Sequence, residues 1–238
     1  MCKLIIDKYK KKYTKDGPYV VDNISFSVHE KEIVGLLGHN GAGKSTIIKS
    51  IVGILNFDSG RILLDDIDLL DNPIMFKKEI GYVSDNHLTF EKMTGYEYLK
   101  FIANIFKVSK NDFLNEFEKL ENIFNLGSSL ESPILFYSHG MKQKISIMAS
   151  LIHKPKFWIL DEPTNGLDPE IFQKLITFIM NYKNEGNSIL FSSHNLEMVS
   201  KICDRVILIE NGSIVKEVIG TDKFSEIDLF FNRGKRDI

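Results

Sequence analysis

Apolar residues follow two rhythms along this chain. Across 20–28, Ile24, Phe26 and Val28 alternate with polar neighbours, which predicts an antiparallel strand with one face in a core and one in water. The runs 33–37, 157–160, 188–192 and 206–209 are nearly all apolar, as expected of strands buried on both faces of a mainly parallel sheet. Shorter β-type segments lie at 4–7, 61–64 and 80–83, and Asn211-Gly212 joins 206–210 to 213–218 as a hairpin turn. Three- and four-residue steps replace these patterns between 94 and 124. Tyr98, Phe101, Ile102 and Ile105, then Phe113, Leu114, Phe117, Leu120 and Phe124, predict amphipathic helix whose aromatics form the core of an inserted subdomain. Helical runs are also expected over 46–55, 142–152 and 195–203. The predicted class is α/β. No repeat, linker or low-complexity tract interrupts it, and the last twenty residues, with Arg233-Gly234-Lys235-Arg236, read as a short solvated tail.

Chemistry enters at Gly38-His39-Asn40-Gly41-Ala42-Gly43-Lys44-Ser45-Thr46, which fits G-x-x-x-x-G-K-[ST] between a predicted strand and a predicted helix. Gly38, Gly41 and Gly43 let the backbone wrap a triphosphate with its N–H groups inward, those of Asn40, Ala42 and Thr46 included. Lys44 supplies a cation for the β- and γ-phosphates, Ser45 a hydroxyl for magnesium, and the helix its positive end. The core predicted from this loop is that of a P-loop NTPase (RecA-like). A second cluster, Asp161-Glu162, ends the buried run 157–160. There Asp161 can hold magnesium and Glu162 can accept a proton from an attacking water.

Composition narrows the picture by exclusion. At 238 residues, 43% apolar, 26% charged and net −2, the chain is long enough for a large core and carries no field that favours nucleic acid. Its cysteines, Cys2 and Cys203, form no C-x-x-C pair, so neither disulfides nor zinc are expected. No uncharged run approaches a bilayer span, and the lysine-rich start has no apolar segment after it. D-x-x-G and N-K-x-D, expected of a GTPase, do not occur.

Taken with their order, these motifs resemble those of the nucleotide-binding subunit of an ATP-binding cassette (ABC) transporter, and the likeness spans nearly the whole chain. Tyr137-Ser138-His139-Gly140-Met141 occupies the place of that family's signature loop, which implies that Ser138 and Gly140 contact the γ-phosphate bound to an opposite subunit. Ser138 is equally the natural cap of the helix that follows. Asn165-Gly166-Leu167-Asp168 resembles the D-loop. Ser192-Ser193-His194 resembles the switch that makes His194 catalytic beside Glu162 and Lys44. Tyr13 is the candidate to stack on adenine, with Tyr9 and Tyr19 as competitors. The resemblance implies ATP and Mg2+ as cofactors, with Ser45, Asp161 and Asp85 at the metal. It also implies one cassette domain over 1–238, with catalytic parts at 1–85 and 155–220, an α-helical subdomain over 86–154 and a tail over 221–238.

The partners implied are an integral membrane permease and a second cassette, identical or not, in a dimer sandwiching two ATP. The place implied is the cytoplasmic face of a bacterial membrane, with docking near residues 85–98 through Phe90, Met93 and Tyr96. Asp85 stands where the family most often has glutamine, and His139 and Met141 also depart from its commonest spelling. These variants resemble single-domain cassettes of exporters. A soluble cassette with a non-transport task is the competing reading.

Overall fold

The computed structural model of the chain describes residues 2–84, 90–193, 195–220 and 223–232. The chain opens with β1 (Cys2–Lys11) and β2 (Val21–His29), an antiparallel pair, then β3 (Ile33–Gly38) and α1 (Lys44–Ile51). It returns through β4 (Ser59–Leu64) and the short β5 (Ile67–Asp68), and α2 (Pro73–Lys78) leads to β6 (Ile80–Val83). A helical stretch follows: α3 (Gly95–Ile105), α4 (Lys110–Phe124), two 3-10 turns and α5 (His139–Leu151). The rest alternates: β7 (Phe157–Asp161), α6 (Pro169–Asn184), β8 (Ser188–Ser192), α7 (Leu196–Ile202), β9 (Arg205–Glu210), β10 (Ser213–Ile219) and α8 (Lys223–Asn232).

Two sheets result. A four-stranded antiparallel sheet runs β2-β1-β4-β5, and a six-stranded sheet runs β10-β9-β3-β8-β7-β6, parallel except for the β9–β10 hairpin. The expected alternation holds in β2, where Ile24, Phe26 and Val28 face inward. β7 and β8 are buried on both faces, as their nearly all-apolar spelling requires. Asn211 and Gly212, both with positive φ (48° and 75°), make the tight turn between β9 and β10. Arg205 ties the sheets together: its guanidinium donates to Glu32 at 2.9 Å, to Glu217 at 2.8 Å and to the Ser27 carbonyl.

The helical pattern over 94–124 is borne out and divides into α3 and α4, because Ser109 caps α4 by accepting from the Asp112 N–H and so restarts the ladder. Two expectations need correction. The helix pattern expected to run to residue 55 begins at Lys44 and stops at Ile51. The supposed solvated tail contains α8, whose Ile227 and Phe230 are buried; only 221–222 and 233–238 lie outside the described residues. The apolar pair Ile227 and Phe230, three residues apart, seats this helix a few residues before the basic run at 233–236.

Candidate functional site

The six-stranded sheet decides which loops meet. β3, β8 and β7 are neighbours and parallel, so the loop after β3 and the strand ends at Ser192 and Asp161 share one edge. There they enclose a cavity of about 400 Å3, lined by residues 40–46, Asp161, Glu162, Ser192, Tyr13 and Val20.

Residues 38–43 form the loop, with Gly41 and Gly43 in left-handed conformations (φ 80° and 107°). A side chain at Gly43 would also strike Val21, so both dihedral and space demand glycine. Gly43 caps α1 without any side-chain bond, which leaves the first N–H groups of the helix for an anion. Lys44 is only 8% exposed, and its ammonium donates to the carbonyls of Gly38 (2.6 Å) and His39 (3.1 Å). Burial holds its pKa below the ordinary lysine range, while the charges of Glu162 and Asp161 pull it back upward.

Opposite the loop, Ser192 Oγ donates to Asp161 Oδ1 at 2.9 Å and its carbonyl accepts from the Glu162 N–H at 3.0 Å. The parallel pairing of Asp161 with Ser192 sets both contacts. Glu162 is nearly buried and sits at φ 51°, a left-handed conformation uncommon for a residue with a side chain. Among the described residues no group of three or more His, Cys, Asp and Glu could hold a metal by itself. Ser45 and Asp161 nevertheless fit magnesium, which takes one or two protein oxygens and fills the rest of its octahedron with water and phosphate.

Of the tyrosines, Tyr13 is on the cavity wall, 61% exposed, with its hydroxyl 3.0 Å from Thr46 Oγ1. Tyr9 is in the core, bonded to Ser50, and its pKa is pushed up to about 12 by burial. Ser138 caps α5, its Oγ accepting from Met141 N–H at 3.2 Å, and neither Ser138 nor Gly140 lines the cavity. His194 and Asp85 lie outside the described residues.

Sequence reading missed Gln143. It is buried, and its Nε2 donates to the Pro163 carbonyl at 2.7 Å, joining α5 to the turn after Glu162. Lys144 stands 3.5 Å from Asp168, which also caps α6 through the Ile171 N–H. That bond comes first in holding the Asp168 carboxyl below its ordinary range. A polar residue on the buried face of α5 was the available signal.

A second, larger cavity of about 750 Å3 lies apart from the first, an apolar groove with Ile80, Tyr98, Ile102, Phe106, Ala149 and His153 among its walls. Phe90, expected as an anchor, is exposed, whereas Tyr96 turns inward against Phe113 and Phe117 and Met93 packs on the core. His153 stacks on Phe106 at 3.7 Å and its Nε2 lies 3.0 Å from the Ile80 carbonyl. Burial lowers its pKa to about 4, the Ile80 bond opposing.

Comparison with known proteins agrees with this geometry. The family model described as ABC transporter matches residues 21–165. The ABC transporter ATP-binding protein YdbJ of Bacillus subtilis (strain 168) is 38% identical over 210 residues, 87% of this chain and 67% of YdbJ. The lantibiotic transport ATP-binding protein SrtF of Streptococcus pyogenes is 34% identical over 226 residues, 94% of this chain and 95% of SrtF. Among solved structures, an ATP-binding subunit of an ABC transporter superposes with a TM-score of 0.88 at 30% identity, covering 99% of this chain and 95% of that one.

Proposed function

We propose, from the premise that this chain belongs to the ABC transporter family and is an ATP-binding ATPase cassette of it, that it drives a separate membrane permease, and that the permease is an exporter. The observation that carries the reading is the convergence of the 38–43 loop, Asp161 and Glu162 on one cavity at the strand ends.

The proposed roles follow from what each group presents there. The loop N–H groups and the start of α1 hold the phosphates. Lys44 has three ammonium donors, enough to serve the loop carbonyls and a γ-phosphate oxygen together. Tyr13 stacks on the base, and His194 bonds the γ-phosphate. Ser45, Asp161 and Asp85 would hold magnesium, which when bound would neutralise phosphate charge. Glu162 takes the proton of the water that attacks the γ-phosphorus as the bond to ADP breaks. Ser138 and Gly140 stand outside the cavity, which suits a site completed by a second subunit whose ATP they contact. The second subunit is another copy or a related cassette.

Among the described residues no helix is long and apolar enough to cross a membrane; this reading assigns the crossing to a separate permease, with the cassette on its cytoplasmic side. The apolar groove is the surface assigned to it, and Ser84, directly before Asp85, belongs to the groove wall. Export is supported by a relative named for lantibiotic transport and by the spelling at Asp85, His139 and Met141.

Glu162→Gln is the test of this scheme. Hydrolysis is expected to fall by about 100-fold or more, the scale of a lost general base, while ATP drives dimerisation in sedimentation. A monomer at every ATP concentration, with the co-purified membrane partner included, excludes the shared site. Co-purification of a soluble partner instead would favour the non-transport cassette.

A further inference from the structure

The helix α8 reaches back to the phosphate loop. His39, second residue of that loop and exposed, has its ring centroid 5.5 Å from that of Phe230, at 30°, and 4.9 Å from that of Phe231, at 63°. The two phenylalanines stand edge to face at 5.1 Å. The clasp is well founded. Ile227 and Phe230 belong to the same buried cluster as Met198, Val199 and Ile202 of α7 and Val218 of β10, and an ion pair of Lys216 with Glu226 fastens α8 from outside. The pinned residue is also central to the loop. The His39 carbonyl accepts both from the Lys44 ammonium and from the Ala42 N–H.

We propose that Phe231, with Phe230, is a positioning residue for ATP: by gripping the His39 ring, α8 holds the phosphate loop in its binding shape before nucleotide arrives. The physical reason is preorganisation. A loop with glycines at 38, 41 and 43 has much backbone freedom to lose when it closes on phosphates, and a contact that restrains it beforehand lowers that loss. The grip touches no reacting atom, so it acts on affinity and leaves the chemical step alone.

The experiment is titration of the full chain with Mg-ATP, alongside steady-state hydrolysis. Phe231→Ala is expected to raise the Kd and KM for ATP about three- to tenfold, the scale of one or two aromatic contacts, with kcat at saturation within twofold of the parent. Phe231→Tyr, which keeps the ring, restores affinity. Phe231→Leu fills the space without a ring and also binds weakly, which separates the ring contact from mere packing should the alanine variant prove unstable. His39→Ala raises the Kd similarly, and adding Phe231→Ala to it causes no further loss. Unchanged or tighter ATP binding in Phe231→Ala, full affinity in Phe231→Leu, or simply additive losses in the double variant would each overturn the proposal.

Discussion

The cavity and the groove differ in how the chain spells them. Residues 40–46 line the cavity consecutively, and among the described residues Tyr13, Val20, Asp161, Glu162 and Ser192 join them from elsewhere. The groove takes its wall from Lys49 to His153: one side chain each from α1 and α2, two or three each from β6, α3 and α5, and others from the segments between them. Each construction suits the task proposed for it. Holding a triphosphate requires donors at fixed positions, which a short loop of special dihedrals provides and which therefore leaves a recognisable spelling. Receiving an apolar partner requires shape and area, which many spellings provide, so the groove leaves no motif at all.

The strongest test of the contrast is Lys44→Ala. Loss of the loop's side-chain cation is expected to weaken Mg-ATP binding by 100-fold or more, the scale of a buried charge-assisted contact, and to leave partner docking at the groove intact. Equal affinity in a titration would remove Lys44 from the phosphates.

His153 probes the groove. A base whose folded pKa is depressed, here from 6.5 to about 4, stabilises the fold above pH 6.5, and that contribution is lost as pH falls through the window from 6.5 to 4. At pH 5 the loss is about 2 kcal/mol, from ~1.4 kcal/mol per pH unit. His153→Gln is therefore expected to lose less stability than the parent between pH 7 and pH 5, read from denaturant midpoints at both values. Parallel losses would mean that His153 is not buried in its neutral form.

Asp85 sharpens the comparison because it follows Ser84 of the groove wall and is proposed to reach the metal in the cavity. Asp85→Ala is expected to lower partner-stimulated hydrolysis severalfold while basal turnover falls less, and Asp85→Gln, with an oxygen ligand again, to recover much of the stimulation. Equal losses with and without the partner would make Asp85 a turn residue only.

Legibility followed the same division. The strand edge that gathers the site was readable because β7 is apolar over 157–160 and β8 over 189–191, as strands covered on both faces are. Ser138 was readable as a helix cap, and caps α5. Gln143 was not, because its bond to the Pro163 carbonyl depends on how α5 packs against the turn after β7. The short α8 was hidden by the charge beside it, and its clasp on His39 joins residues nearly two hundred positions apart, a distance over which no local pattern speaks.

The left-handed backbone at Glu162 carries an evolutionary consequence. A side chain at φ 51° costs about 1 kcal/mol relative to glycine, which tolerates that dihedral freely, and asparagine also settles there more easily than glutamate. Drift toward robustness would therefore push this position away from a carboxylate, against which stands the role proposed for Glu162 in ATP turnover. Copies released from that demand would become sturdier as they fell silent.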